Sequence, residues 1–140
     1  MKGFSMTAIK SLFLSTALLV SFSALASDAD ISTLKKELKV FQPTDITKKN
    51  NDITVVIPAK NITREAYEAL ITNGLCTPLW TKDTPSSFLN GINTFTVVNQ
   101  FKAFGYTLDS PLSTCKEMGN LMPEPAKVLM YSKTKSYTSS

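Results

Sequence analysis

The sequence predicts an α+β domain, a small antiparallel or mixed sheet with helices packed on one face, and three observations carry that prediction. Residues 53–57 are the β-branched run Ile-Thr-Val-Val-Ile, with Ile53, Val55 and Ile57 on one side. Residues 92–98 and 104–108 each alternate apolar and polar side chains, and the short stretch 99–103 between them makes the pair a hairpin. Residues 63–75 carry the start and stop signals of a helix. The only two cysteines, Cys76 and Cys115, complete the framework as one disulfide if the chain is exported.

Export is what the N-terminus predicts. Lys2 and Lys10 make a positive region, 12–22 is an apolar stretch, and Ala24-Leu25-Ala26 has the small-x-small form of a cleavage site. A spanning helix needs about 20 apolar residues, and this stretch is shorter and ends in the polar run Ser27-Asp28-Ala29-Asp30. Residues 1–26 therefore read as a cleaved signal peptide, and the product as periplasmic or secreted with no membrane span after cleavage. Without Lys2 and Lys10 the 15 Lys+Arg fall to 13 against 11 Asp+Glu, so the net charge of +4 falls to +2. No basic stripe interleaved with aromatics is present, and nucleic acid is not an expected partner.

Taken in order, Ile31, Leu34, Leu38 and Phe41 recur at helical steps, which predicts a short amphipathic helix over about 29–40. Gln42-Pro43 stops it, and the polar segment to residue 52 reads as a loop that leaves the helix free to sit apart from the main body. Pro58 closes the first strand. Thr63 is placed to cap the next helix, whose core face is Ala66, Tyr67, Leu70 and Ile71. Asn73-Gly74 then supplies a left-handed stop, with Leu75 folding back on Leu70. Thr77, before Pro78, is pushed toward extended geometry. Residues 84–91 read as one helical turn carrying Phe88 and Leu89.

After the hairpin, residues 114–117, Thr-Cys-Lys-Glu, have capping-box spacing, which puts Cys115 at the first position of a short helix stopped by Gly119. Pro123 and Pro125 break the chain, 127–133 reads as an edge strand, and 137–140 as a disordered end. The predicted organisation is thus a signal peptide at 1–26, a helix and polar loop at 27–52, a disulfide-closed core at 53–122 and an edge strand with a tail at 123–140. The core should gather Val55, Ile57, Leu70, Ile71, Phe95, Val97, Tyr106 and Leu108 in one cluster.

The chemistry is defined as much by what is missing. There is no histidine, the usual general base of Ser and Cys hydrolases and the commonest zinc ligand, so no metal site and no cofactor is expected. The cysteines lack Cys-x-x-Cys spacing, and neither a Gly-rich phosphate loop nor a Gly-x-Ser-x-Gly elbow occurs. Glu65 and Glu68 are paired carboxylates, but neighbours on one helical face do not flank a substrate from opposite walls. Asn61-Ile62-Thr63 matches a glycosylation sequon, relevant only where the source modifies such sites.

What remains is apolar surface. Phe101 falls in the hairpin loop beside Lys102, and Trp80 follows a proline turn, positions where a core residue is not expected. Aromatics held out on rigid turns are typical interface anchors, so Trp80, Phe101 and Lys102 are the expected partner-binding residues. The function expected is a small exported non-enzymatic domain that binds a protein, of accessory, inhibitor or immunity type. One alternative is an envelope component whose first helix docks on an assembly. Another is a cell-wall-directed enzyme using Glu65, Glu68 or Asp109.

Overall fold

The computed structural model describes residues 28–140, so the signal sequence expected at 1–26 lies outside the described residues. The strands form one five-stranded mixed sheet in the order β1-β2-β3-β4-β5, comprising β1 (Asp45–Lys49), β2 (Asp52–Val56), β3 (Thr94–Val98), β4 (Phe104–Asp109) and β5 (Thr134–Thr138). Only β2 and β3 run parallel. A parallel pair needs a long crossover. Here it carries helix α2 (Arg64–Ala69), while α1 (Ala29–Glu37), α3 (Pro111–Met118) and α4 (Pro123–Ser132) complete the helical layer.

Register decides which side of the sheet is buried. Ile46, Val55, Val97 and Tyr106 stand in one cross-strand row and Ile53, Phe95 and Leu108 in the next. Side chains two apart along a strand share a face, so all of these point the same way. They meet Leu34 of α1 and Leu38 at its C-terminal cap, Tyr67 of α2, Leu70, Ile71 and Leu75 beyond it, Met118 of α3 and Met130 of α4. The expected cluster is present: Val55, Leu70, Ile71, Phe95, Val97 and Leu108 are buried in it, and Ile57 and Tyr106 pack against it. The opposite face carries the row Thr47, Thr54, Thr96, Thr107, Lys135. There the Thr96 and Thr107 hydroxyls pair at 2.9 Å.

Several local expectations are corrected. The polar segment before residue 52 is not a loop throughout: it holds β1, which turns through Asn50 at φ 55° into β2. Nor does the first helix sit apart, because Leu34 and Leu38 are fully buried in the common core. Residues 127–133 are not a strand. Pro123 occupies the first turn of α4, where amide protons have no helical acceptor and proline costs nothing. The edge strand is β5 instead, which starts just past residue 133 and runs through Tyr137 and Thr138 into the end expected to be disordered; its Tyr137 faces Gly105 of β4. Residues 84–91 form consecutive hydrogen-bonded turns rather than a helix, though Phe88 and Leu89 are buried as expected.

Candidate functional site

The helical layer around Trp80 departs most from the local signals. Thr63 caps α2 as expected, its hydroxyl accepting from the Ala66 amide at 3.0 Å. The helix does not stop at Gly74, however. It widens into a π-helical segment, Leu70–Cys76, and then tightens into an α-helical turn, Thr77–Trp80. Pro78 explains the widening: in an unbroken α-helix its ring would strike the carbonyl four residues back. The Thr77 amide reaches Thr72 O instead, and so does its hydroxyl at 2.7 Å. Thr77 is therefore helical at φ −54°, against the extended geometry expected before proline.

Gly74 is needed for proximity, not for a left-handed stop. A Cβ there would lie 2.6 Å from Leu38 Cδ2 and 3.0 Å from Phe41 Cε2, so the turn that follows α1 rests directly on the wide turn. The next two residues lock this region: Leu75 is buried, and Cys76 bonds to Cys115 with Cα atoms 5.0 Å apart. Cys115 lies inside α3, not at its start, because the helix begins at Pro111. The Thr114 hydroxyl, expected to cap, donates to Asp109 O at 3.0 Å.

Trp80 leaves this framework with one edge fixed and one face free. Its Nε1 donates to Cys115 O at 2.7 Å. Gly119 lies so close that a Cβ there would stand 2.6 Å from Nε1. Trp80 remains 38% exposed and forms the wall of a groove of about 430 Å³, with Thr72, Met118, Leu121, Pro123 and Ala126 supplying most of the rest. Leu121 and Met122, in the α3–α4 connection, are 45% and 74% exposed. One end of the groove is charged: Lys127 pairs with Glu68 at 3.3 Å, and that carboxylate, with Glu124, raises the Lys127 pKa.

Phe101 and Lys102 belong to a different element, the β3–β4 hairpin. Buried Asn99 braces it, donating to Lys60 O at 2.7 Å and accepting from the Ala103 and Phe104 amides at 2.9 and 3.3 Å. Lys102 takes φ 58°, and Phe101 is held 65% exposed. Neither residue lines the Trp80 groove. Leu121 and Met122 were missed at the sequence level. The signal was there, two adjacent apolar residues between Gly119 and Pro123.

The carboxylates do not converge on one another. Glu68 is held by Lys127 and by the Tyr131 hydroxyl, and Asp109 pairs with Lys135 at 3.5 Å. Among the described residues no three His, Cys, Asp or Glu side chains group as metal ligands, and no helix is long and apolar enough to cross a membrane. The disulfide fits an oxidising compartment. No protein-family model, curated protein or solved structure matches the chain.

Proposed function

We propose that this chain is an exported, non-enzymatic domain, periplasmic or secreted, that binds a protein partner through the groove beside Trp80. The observation that supports it most is the exposure of Trp80 and Leu121 in a preformed, largely apolar groove, with exposed Met122 next to Leu121 in the chain. Interface hot spots favour tryptophan, and methionine is enriched at interfaces generally. A groove whose wall is fixed by a disulfide-bonded helix and an indole hydrogen bond has little left to order on binding, which lowers the entropic cost of association. The braced hairpin offers Phe101 and Lys102 as a second contact for the same or another partner.

The test is site-specific photo-crosslinking in the source cell envelope or secreted fraction, with the crosslinker at Met122 and, separately, at Phe101. A single protein trapped from Met122, lost when Leu121→Asp is added without change in thermal midpoint, is the expected result. Trapping from Phe101 alone would move the interface to the hairpin. Trapping from neither position would end the protein-binding reading.

A further inference from the structure

A second cleft lies where the helical layer meets β4 and β5, away from Trp80. Arg64, Tyr106, Tyr131, Thr134 and Ser136 line about 280 Å³ of it. Tyr106 and Ser136 also line an adjoining hollow of about 280 Å³ that Asn61, Phe104 and Tyr137 extend. Together the two reach the size range of small-molecule clefts, about 300–1,000 Å³.

Three features of its lining keep binding capacity that the fold does not use up. Arg64 forms no ion pair among the described residues, whose four pairs all use lysines. Its guanidinium sits 4.6 Å from the centroid of the Tyr131 ring, and that ring is held in turn by the Tyr131 hydroxyl donating to Arg64 O at 3.2 Å. The contrast among the hydroxyls is the second feature. Thr134 is engaged by Tyr67 at 2.7 Å and by Met130 O at 2.8 Å, while those of Tyr106 and Ser136 have no partner among the described residues. Third, Phe104 is 57% exposed although it belongs to a strand.

We infer that this cleft binds an acidic sugar, a pyranose carrying a carboxylate. A guanidinium takes a carboxylate in two parallel hydrogen bonds. Free phenol and serine hydroxyls match the ring hydroxyls of a sugar in both donor and acceptor roles. The negative face of an aromatic ring is complementary to the C–H side of a pyranose. A peptide lying along the free edge of β5 would be held by backbone pairing, and would leave the unpaired arginine and the hydroxyls without a role.

The probe is trigalacturonic acid, titrated into the oxidised, isotopically labelled protein and read by amide shifts. Its methyl ester and the peptide acetyl-Ala-Ala-Ala, with a free carboxylate, are the comparisons. Shifts at Arg64, Tyr106 and Ser136 are expected with the acid, at least tenfold weaker binding for the ester, and less for the peptide. Arg64→Gln should remove the preference for acid over ester, Tyr106→Phe should weaken both sugars, and Met122→Glu should change neither. Absence of binding at millimolar sugar, equal affinity for acid and ester, or preference for the peptide would each overturn the inference. Failure here leaves the Trp80 groove untouched, since its test uses another surface.

Discussion

Among the described residues Asp30 is the one charged side chain that the fold buries. Its Oδ1 accepts from the Leu89 amide at 3.2 Å, and Leu89 is a buried leucine held at φ 65°, a conformation unfavourable for any side chain with a Cβ. The first helix thus fixes a turn 59 residues away. Asp30→Ala should cost about 1–3 kcal/mol, because it leaves a buried amide unpaired. Asp30→Asn retains an acceptor and should cost less, which a pair of urea melts would show. Asp28, two residues earlier, pairs with Lys48 of β1 at 3.0 Å. Desolvation pushes the Asp28 pKa up, but Lys48 and the amides of Ile31 and Asp30 more than offset it, so the net shift is downward. The Asp28 hydrogen bond is also the main cause of a raised Lys48 pKa, against partial desolvation. A carboxylate lowered on folding stabilises above its ordinary pKa of about 3.9 and loses that contribution as pH falls through the folded value. A lysine raised on folding stabilises below about 10.4 and loses it as pH rises through its folded value. The thermal midpoint should therefore be flat between these limits and fall beyond both. Lys48→Met should shallow the acid limb; an unchanged acid limb would show that the pair does not couple α1 to β1.

At the scale of elements, the sheet centre was legible and its edges were not. β2, β3 and β4 announce themselves because both register rows on their inner face are apolar, as at Ile53, Val55, Phe95 and Val97. β1 and β5 bury one residue and none respectively, and backbone pairing rather than side-chain pattern holds them in place. An alternation signal needs one well-buried face opposite a solvated one, and these edge strands bury too little of either face to give it. The α2 region failed for another reason: Gly74 and Pro78 are local stop signals, and the stop was overridden by packing of Leu38 and Phe41 on the glycine and by the cross-link at Cys76. Ala126 and Met130, four apart and both buried, were the available sign of α4. Of the residues singled out in the sequence, Trp80 lines the groove and Phe101 does not, and the connection that supplies Leu121 to the groove was not singled out. One side-chain tie adds to the backbone pairing of β5: the Tyr67 hydroxyl pairs with the Thr134 hydroxyl at 2.7 Å, and burial pushes that phenol far above its ordinary pKa. Thr134→Val should cost about 1–3 kcal/mol by leaving the phenol without its partner. Combined with Tyr67→Phe it should cost less than the two separate changes added, because each removes the same bond. Additive losses in the double-mutant cycle would mean that the bond contributes nothing.

For the whole molecule, one covalent bond joins the two halves of the helical layer. Cys76 ends the π-helical segment and Cys115 sits in α3, so the bridge closes a loop of separation 39 that contains Trp80, β3 and β4. In the chain-entropy account a loop of that length stabilises by about 4 kcal/mol, a large part of the roughly 5–15 kcal/mol typical of a domain. The bond also supports the groove directly, because the acceptor of the indole N–H is the carbonyl of Cys115 itself. Trp80 is the single tryptophan, which makes its fluorescence a reporter of that contact. The double variant Cys76→Ala, Cys115→Ala should lose about 4 kcal/mol in urea. Its native emission should shift to the red as the indole edge loosens, and the fluorescence transition should come before the far-ultraviolet circular dichroism transition of the sheet. A loss under about 1 kcal/mol, with native emission unchanged, would show that the packing of Leu38, Phe41 and Gly119 holds the groove without the bridge.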